Sequence, residues 1–170
     1  MKKLLVVVDM QNDFVTGCLG TKEAQEITGD VAEYVKASHG EVVFTRDTHG
    51  ENYMETQEGK KLPVVHCIKG SEGWEIVPAL KPLAKDAKIF DKPTFGSTEL
   101  AQYVKDGKYE EVTLIGVCTG ICVMSNAVLI KAFVTEVPVK VIARLCACVT
   151  PDTHETALNA MATCQVEIVR

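Results

Sequence analysis

The chain has 170 residues, 46% hydrophobic and 24% charged, which is long enough for a sizeable core and ordinary for a globular protein. Its formal net charge of −5 argues against non-specific nucleic-acid binding, and no apolar run reaches the roughly 18 to 20 residues of a membrane helix. The seven cysteines are odd in number and several lie inside apolar segments, which favours reduced thiols over a disulfide framework.

The N-terminus starts with two lysines and an apolar stretch that ends at Asp9. This stretch is about six residues long, which is too short for the apolar core of a signal peptide, and no small-residue cleavage site follows it. We therefore interpret it as a buried first strand and expect a cytoplasmic protein.

Short runs of Val, Ile and Leu recur along the chain without alternation, which is typical of strands buried on both faces. Stretches with helical spacing and recognisable caps lie between them. In chain order we predict strand KKLLVVVD, helix ITGDVAEYVKAS, strands EVVFTRD and AKIFD, helix STELAQYVKDG, strand VTLIGV, helix GICVMSNAVLIKAFVT, strand VKVIARL, helix TPDTHETALNAMAT and strand CQVEIV. This alternation predicts an α/β fold with a doubly wound, mostly parallel sheet, in a single domain over residues 1–170.

The polar segment from about residue 47 to residue 93 contains no clear strand before AKIFD. Loops of that length in compact domains are usually functional or disordered. Asp47 and His49 lie two residues apart at its start, and His66 follows. One carboxylate and two imidazoles suit an open site for Zn²⁺, with Fe or Mn as alternatives and Glu58 as a candidate further ligand. The competing interpretation is that these are surface polar residues of a long loop.

Ionisable or nucleophilic side chains follow four of the predicted strands. Ligands of open α/β sheets bind beyond the carboxyl ends of the strands, so these positions are candidates for a functional site. They are Asp9, Asp47 with His49, Asp91 with Lys92, and Cys118 with Cys122. We would not expect a random core to place reactive groups so regularly.

Cys122 is the candidate nucleophile, because it follows a strand and two glycines at a predicted helix start. The helix macrodipole would lower the pKa of a thiol there, and unpaired backbone N–H groups could hold an oxyanion. Asp9 could accept the thiol proton and Lys92 could stabilise both charges, with His49 as another candidate base. The spacing of Cys118 and Cys122 does not match a CxxC redox motif, and no second pair completes a cysteine metal site.

Simpler interpretations remain for each of these residues. Cys122 could pack as a small buried residue, Asp9 could cap a turn, and Lys92 could be a solvated surface lysine. We interpret His154 as a residue that caps or braces the last helix.

Six segments resemble, in order, those of the isochorismatase-like cysteine hydrolases, a family that includes nicotinamidases. They are VVVDMQNDF, FTRDTH, HCIKGSEGWEI, FDKPTFGST, LIGVCTGICV and TPDTHETAL. The resemblance implies a six-stranded parallel sheet with helices on both faces. It also implies a catalytic triad of Cys122 as nucleophile, Asp9 as general base and then acid, and Lys92 as the orienting cation. The implied oxyanion hole consists of the N–H groups of Cys118 and Cys122, after a cis peptide bond between Val117 and Cys118.

Within that family the resemblance is to nicotinamidases, because Asp47, His49 and His66 match their metal motif. It implies that the metal holds the pyridine nitrogen of nicotinamide or a related small heteroaromatic amide, and that the protein is a homo-oligomer. Phe14 resembles the aromatic residue that packs on the ring. The residues LPVV stand where a second aromatic is common, so we expect Phe95 or Trp74 to form the other wall.

Two positions depart from the family pattern: Gly120 and Arg144 stand where acids are common. One alternative is therefore a family member that hydrolyses another small amide, a carbamate or an enol ether without metal. The other alternative is a catalytically inactive binding protein with the same fold.

Overall fold

The structure, a computed structural model, describes residues 1–170 and contains one six-stranded sheet in the order β3-β2-β1-β4-β5-β6. All five strand pairs are parallel. The strands are β1 (Lys3–Val8), β2 (Glu41–Asp47), β3 (Lys88–Lys92), β4 (Glu111–Val117), β5 (Val139–Ala147) and β6 (Glu167–Val169). The predicted doubly wound parallel sheet is therefore confirmed.

Seven α-helices connect or flank these strands, and side-chain caps start several of them. Thr21, Ser97 and Thr150 each accept a hydrogen bond from a backbone N–H in the first turn, which satisfies a donor that the helix leaves free. The helices are α1 (Asn12–Val15), α2 (Lys22–Ala37), α3 (Gln57–Lys61), α4 (Lys81–Ala84), α5 (Thr98–Gly107), α6 (Met124–Phe133) and α7 (Pro151–Thr163). None of the helices combines the length and the apolar character needed to span a lipid bilayer.

The sheet separates two hydrophobic clusters, and β1 contributes to both. Leu4, Val6 and Val8 pack with α5, α6 and α7 on one face. Leu5 and Val7 pack with α2 and α4 on the other face. Because side chains alternate between the faces of a strand, burial on both sides requires the continuous apolar run seen in the sequence.

The strand order reverses between β1 and β4, which opens a crevice at the carboxyl ends of these two strands. The chain passes from the edge strand β3 through α5 to β4 on the other side of β1. At this point Gly116 has a φ of +116°, and a Cβ there would collide with the carbonyl oxygen of Val8. Glycine is therefore required for β4 to approach β1 closely.

Three local features differ from the sequence prediction. The long segment after β2 contains α3, α4 and a 3₁₀ turn, all of which the sequence analysis missed because each spans only three to five residues. The predicted helix after β4 begins as a π-helical turn, Thr119–Val123, and becomes α-helical at Met124. Helix α2 begins at Lys22, five residues before the predicted start at Ile27.

Matched substitutions on α6 test whether burial in this core stabilises the fold. Ile130 is fully buried, whereas Val128 on the same helix is 37% exposed. We expect Ile130→Ala to lower the free energy of unfolding by about 2–5 kcal/mol, because it removes buried methyl groups and leaves a cavity. Val128→Ala should change it by less than about 0.5 kcal/mol. Urea denaturation measures both, and equal losses would contradict the assignment of the core.

Candidate active site

Asp9 is fully buried at the end of β1, with its backbone in the left-handed region at a φ of +49°. Aspartate is one of the few residues other than glycine that adopt this conformation readily. Its Oδ1 accepts a hydrogen bond from the Thr45 hydroxyl at 2.6 Å, and its N–H points at the same residue. These contacts with β2 turn the carboxylate into the crevice rather than along the strand.

Lys92, the last residue of β3, is fully buried and joins the acidic groups of the crevice. Its Nζ lies 2.7 Å from Oδ2 of Asp9, 3.4 Å from Sγ of Cys122 and 3.6 Å from Oδ1 of Asp47. Burial by itself would lower the pKa of Lys92, but the negative charge of Asp9 and its neighbours raises it above the ordinary value. The ammonium therefore stays charged although water does not reach it.

Cys122 lies in the π-helical turn between β4 and α6, and only 5% of its surface is exposed. The N–H groups of Ile121 and Val123 donate to the carbonyl of Cys118, and the peptide bond between Val117 and Cys118 is cis, as expected. Burial raises the pKa of the Cys122 thiol well above its ordinary value; Asp9 adds to the increase and Lys92 opposes it. The expectation that a helix start would lower this pKa is wrong, since desolvation outweighs it. The resting group is a thiol, so it needs a base.

Asn126, a residue that the sequence analysis missed, fixes the backbone around Cys122. Its Nδ2 donates to the carbonyls of Cys122 at 2.8 Å and Phe95 at 3.1 Å, and its Oδ1 accepts from the N–H of Ser97. The side chain is fully buried. An asparagine inside the apolar stretch of α6 was the available signal, because buried amides normally have hydrogen-bond partners.

The predicted metal ligands converge at the end of β2. Asp47, His49, Glu58 and His66 each offer one ligand atom, and these atoms lie within 4.8 Å of one another. Oδ2 of Asp47 is 2.8 Å from Nε2 of His49 and 3.3 Å from Nε2 of His66, while Oε1 of Glu58 is 3.6 and 3.7 Å from the two imidazoles. The structure therefore brings together all four residues proposed from the sequence.

This cluster fits a divalent metal ion. Oδ1 of Asp47 is buried and accepts no hydrogen bond. Nδ1 of His66 donates to the carbonyl of Val64 at 2.7 Å, so Nε2 is the nitrogen that faces the cluster and would give up its proton to bind a metal. Burial would raise the pKa of Asp47, but hydrogen bonds from His49 and His66 and the charge of Lys92 lower it well below its usual range. Asp47 is thus an anion at neutral pH.

Gln11 holds Asp47 in position. No motif in the sequence indicated this role for Gln11. Its Oε1 accepts from the N–H of Asp47 at 2.7 Å, and its Nε2 donates to the carbonyls of Asp47 and Trp74, each at 2.9 Å. The amide is fully buried. Gln11 thereby ties the segment after β1 to the end of β2 that carries Asp47.

A cavity of about 410 Å³ opens over the reactive groups and the metal cluster. Phe14 and Phe95, both predicted to contact substrate, line it. Trp74 does not; its indole N–H donates to the Thr48 hydroxyl, and the Arg46 guanidinium lies 3.6 Å from its ring centroid. The prediction that Trp74 forms a wall is therefore wrong. Apolar residues that the sequence analysis did not select complete the walls: Leu19, Leu62, Ile121 and Val149.

Comparison with known proteins agrees with this geometry. The isochorismatase domain model matches residues 3–170. The chain belongs to the isochorismatase family. It is similar to the nicotinamidase/pyrazinamidase of Mycobacterium tuberculosis, with 27% identity over 184 residues and 98% of each protein covered.

Solved structures of the isochorismatase fold are also similar to this chain. A nicotinamidase from Bacillus subtilis is 27% identical, with a TM-score of 0.85 and complete coverage of both chains. A pyrazinamidase of Pyrococcus horikoshii, solved in complex with zinc, is 28% identical, with a TM-score of 0.81 and coverage of 100% of this chain and 99% of that one. The similarity thus extends over the whole sheet and the segments that carry the site.

A double-mutant cycle tests the buried pair of Asp9 and Lys92. Lys92→Met leaves a buried carboxylate without its cation, so we expect a loss of about 3–5 kcal/mol in the free energy of unfolding. Combining it with Asp9→Asn, which the left-handed backbone tolerates, should recover part of that loss. Urea denaturation followed by the fluorescence of Trp74 measures Lys92→Met, Asp9→Asn and the double variant. Strictly additive losses would show that the two groups do not interact.

Proposed function

We propose that this protein is a nicotinamidase-like amidohydrolase, which hydrolyses nicotinamide or a related small heteroaromatic amide to the acid and ammonia. One observation carries the proposal: Asp9, Lys92 and Cys122 meet beside a cluster of metal-ligand type, under a single cavity. The nicotinamidases among its relatives support this choice of substrate.

The first half of the reaction transfers the acyl group to the enzyme. Asp9 accepts the proton of the Cys122 thiol as the sulfur attacks the amide carbonyl carbon, because burial raises the pKa of Asp9 and makes it a stronger base than an ordinary aspartate. Lys92 contacts both groups and stabilises the negative charge as it passes between them. We assign the oxyanion of the tetrahedral intermediate to the backbone N–H groups of Cys118 and Cys122.

The second half releases both products. Asp9 returns its proton to the departing nitrogen, which leaves as ammonia, and the acyl group remains as a thioester on Cys122. Asp9 then accepts a proton from water, whose oxygen attacks the thioester carbonyl. Collapse of that intermediate returns the proton to the Cys122 sulfur and releases the carboxylic acid.

In this proposal Asp47, His49 and His66 hold a divalent metal, with Glu58 as a further ligand. Two imidazoles and two carboxylates suit Zn²⁺, and Fe or Mn are the alternatives. When bound, the ion supplies a Lewis acid that anchors the ring nitrogen of the substrate. Phe14 and Phe95 line the cavity with aromatic surface, which suits a flat heteroaromatic ring.

The two alternatives fit less well. A metal-free hydrolase would have no use for four converging ligand atoms, three of which are the Asp47 oxygen and the two imidazole nitrogens within 3.3 Å of it. An inactive binding protein was suggested by Gly120 and Arg144, yet Gly120 packs against Ala157 and the Arg144 side chain is exposed on β5. The single-domain organisation, the homo-oligomer and the cytoplasmic location remain predictions.

Removal of the nucleophile tests the mechanism. We expect Cys122→Ala to lower kcat for nicotinamide by more than about 10³-fold, because no other group can form the thioester. The matched control is Cys164→Ala, which removes an exposed thiol and should leave the rate unchanged. Ammonia release measures both, and turnover by Cys122→Ala at the wild-type rate would refute the assignment.

The metal cluster makes a separate prediction. The purified protein should contain one divalent ion per chain by elemental analysis, and His66→Gln should weaken its binding by at least about tenfold, because even outer-shell changes weaken metal sites 10–100-fold. His39→Gln alters an exposed histidine and is the control. Unchanged affinity in His66→Gln, measured by competition with a chelator, would contradict the ligand assignment.

A further inference from the structure

Two thiols that the mechanism does not use lie at the ends of neighbouring strands. Cys118 directly follows β4 and Cys148 directly follows β5, and the preceding residues Val117 and Ala147 are paired in the ladder. Neighbouring strands are about 4.7–4.9 Å apart, which lies within the Cα separation of about 4.4–6.8 Å found for disulfides. Cys118 and Cys148 therefore follow directly after paired residues at the ends of two neighbouring strands.

Cys148 occupies a corner in front of α7 that is lined mainly by apolar residues. Its sulfur interacts with the Cys118 thiol, the backbone of Gly120 and Val149, and the Thr153 side chain. The Cys118 contact does most to lower the pKa of Cys148, to about 5; the backbone and Thr153 assist, while burial opposes the shift. The contact with Cys118 thus favours the thiolate form of Cys148.

This corner also accounts for Gly120, which stands where an acid was expected. A Cβ at position 120 would lie 3.7 Å from the Cys148 sulfur and 3.0 Å from Cβ of Ala157. Ala157 therefore restricts any side chain at this position, and an added carboxylate on residue 120 would lie next to the Cys148 sulfur.

The other buried thiols are much less reactive toward oxidants, because thiolate is the nucleophilic form. Burial raises the pKa of Cys146 to about 12 and raises the pKa of Cys67 and of the nucleophile Cys122. Cys118 also has a raised pKa, first because of its contact with Cys148. The pair thus combines a thiolate with an adjacent thiol, which is the arrangement of an attacking and a resolving cysteine.

The two sulfurs are reached from different sides. Cys148 lines a cleft of about 370 Å³ together with Gly120 and Thr153, whereas Cys118 lines the substrate cavity. Ile121 and Val149 border both spaces and separate them. A small oxidant can therefore approach Cys148 through a cleft that the substrate does not occupy.

We propose that Cys148 is a hydroperoxide-reactive thiol that forms a reversible disulfide with Cys118. The Cys148 thiolate attacks one peroxide oxygen, the O–O bond breaks, and Cys148 becomes a sulfenic acid while the other oxygen leaves as hydroxide or alkoxide and takes up a proton. The Cys118 thiol then displaces the sulfenic oxygen as water and forms the S–S bond. Two thiols are oxidised by two electrons in total, and one peroxide is reduced.

Formation of this bond switches hydrolysis off. The backbone N–H of Cys118 belongs to the oxyanion hole in the proposed function, and a bond to Cys148 ties that residue to the end of β5. This consequence for activity rests on the proposed function, whereas formation of the disulfide does not. The two parts therefore need separate readouts.

Peptide mapping of the full-length protein tests the chemistry without any assay of activity. Trypsin places Cys118 in the peptide of residues 109–131 and Cys148 in that of residues 145–170. After brief treatment with hydrogen peroxide and alkylation, we expect these peptides to be joined in non-reduced digests, with fragmentation locating the bond between Cys118 and Cys148. The link should be absent from Cys148→Ser and present in Cys164→Ser, which lacks an exposed thiol instead.

Activity is then compared before and after peroxide treatment for each variant. Wild type and Cys164→Ser should lose most of their rate and regain it with dithiothreitol, while Cys148→Ser keeps its own untreated rate. Free or irreversibly oxidised Cys148 without a link to Cys118 would overturn the proposal. A complete link with unchanged turnover would overturn the switch, and a link in a protein with no hydrolase activity would refute only the proposed function.

Discussion

The buried ammonium of Lys92 is the contact on which the rest of the site depends. It has no access to water, so carboxylates must balance its charge, and Asp9 and Asp47 do so from the ends of two other strands. An unpaired charge at this depth would cost several kcal/mol. The same cation therefore holds Asp9, the proposed base, contacts Cys122, the proposed nucleophile, and borders the cluster of candidate metal ligands.

The topology of the sheet makes this convergence possible. Parallel strands place all their carboxyl ends at one edge, and the reversal between β1 and β4 opens that edge into a crevice. Lys92 ends β3, and Asp9 follows β1, two strands away in the sheet. A long side chain is therefore needed to reach from one to the other across the end of β2. Buried amides of Gln11 and Asn126 then fix the backbones on either side.

Much of this arrangement could be predicted from local signals. The apolar runs located the strands, Ser97 and Thr150 stood at the starts of predicted helices that they cap, and the reactive residues followed strand ends. The predictions that failed concern contacts between residues that are far apart in the sequence. Gln11 acts on Asp47, 36 positions later, and no local pattern reveals such a partner. Trp74 was assigned to the cavity by its residue type, although its loop turns the indole toward Thr48.

The sequence by itself determined the fold class and the identity of the candidate reactive groups, because periodicity and residue type are local properties of the chain. Only the tertiary structure decided their chemistry. The Cys122 thiol has a raised pKa rather than the lowered one expected at a helix start, since its burial is a property of the whole sheet. Likewise, Gly120 is a departure from a pattern in the sequence, whereas in the structure Ala157 of α7 and Cys148 after β5 leave little room for a side chain there.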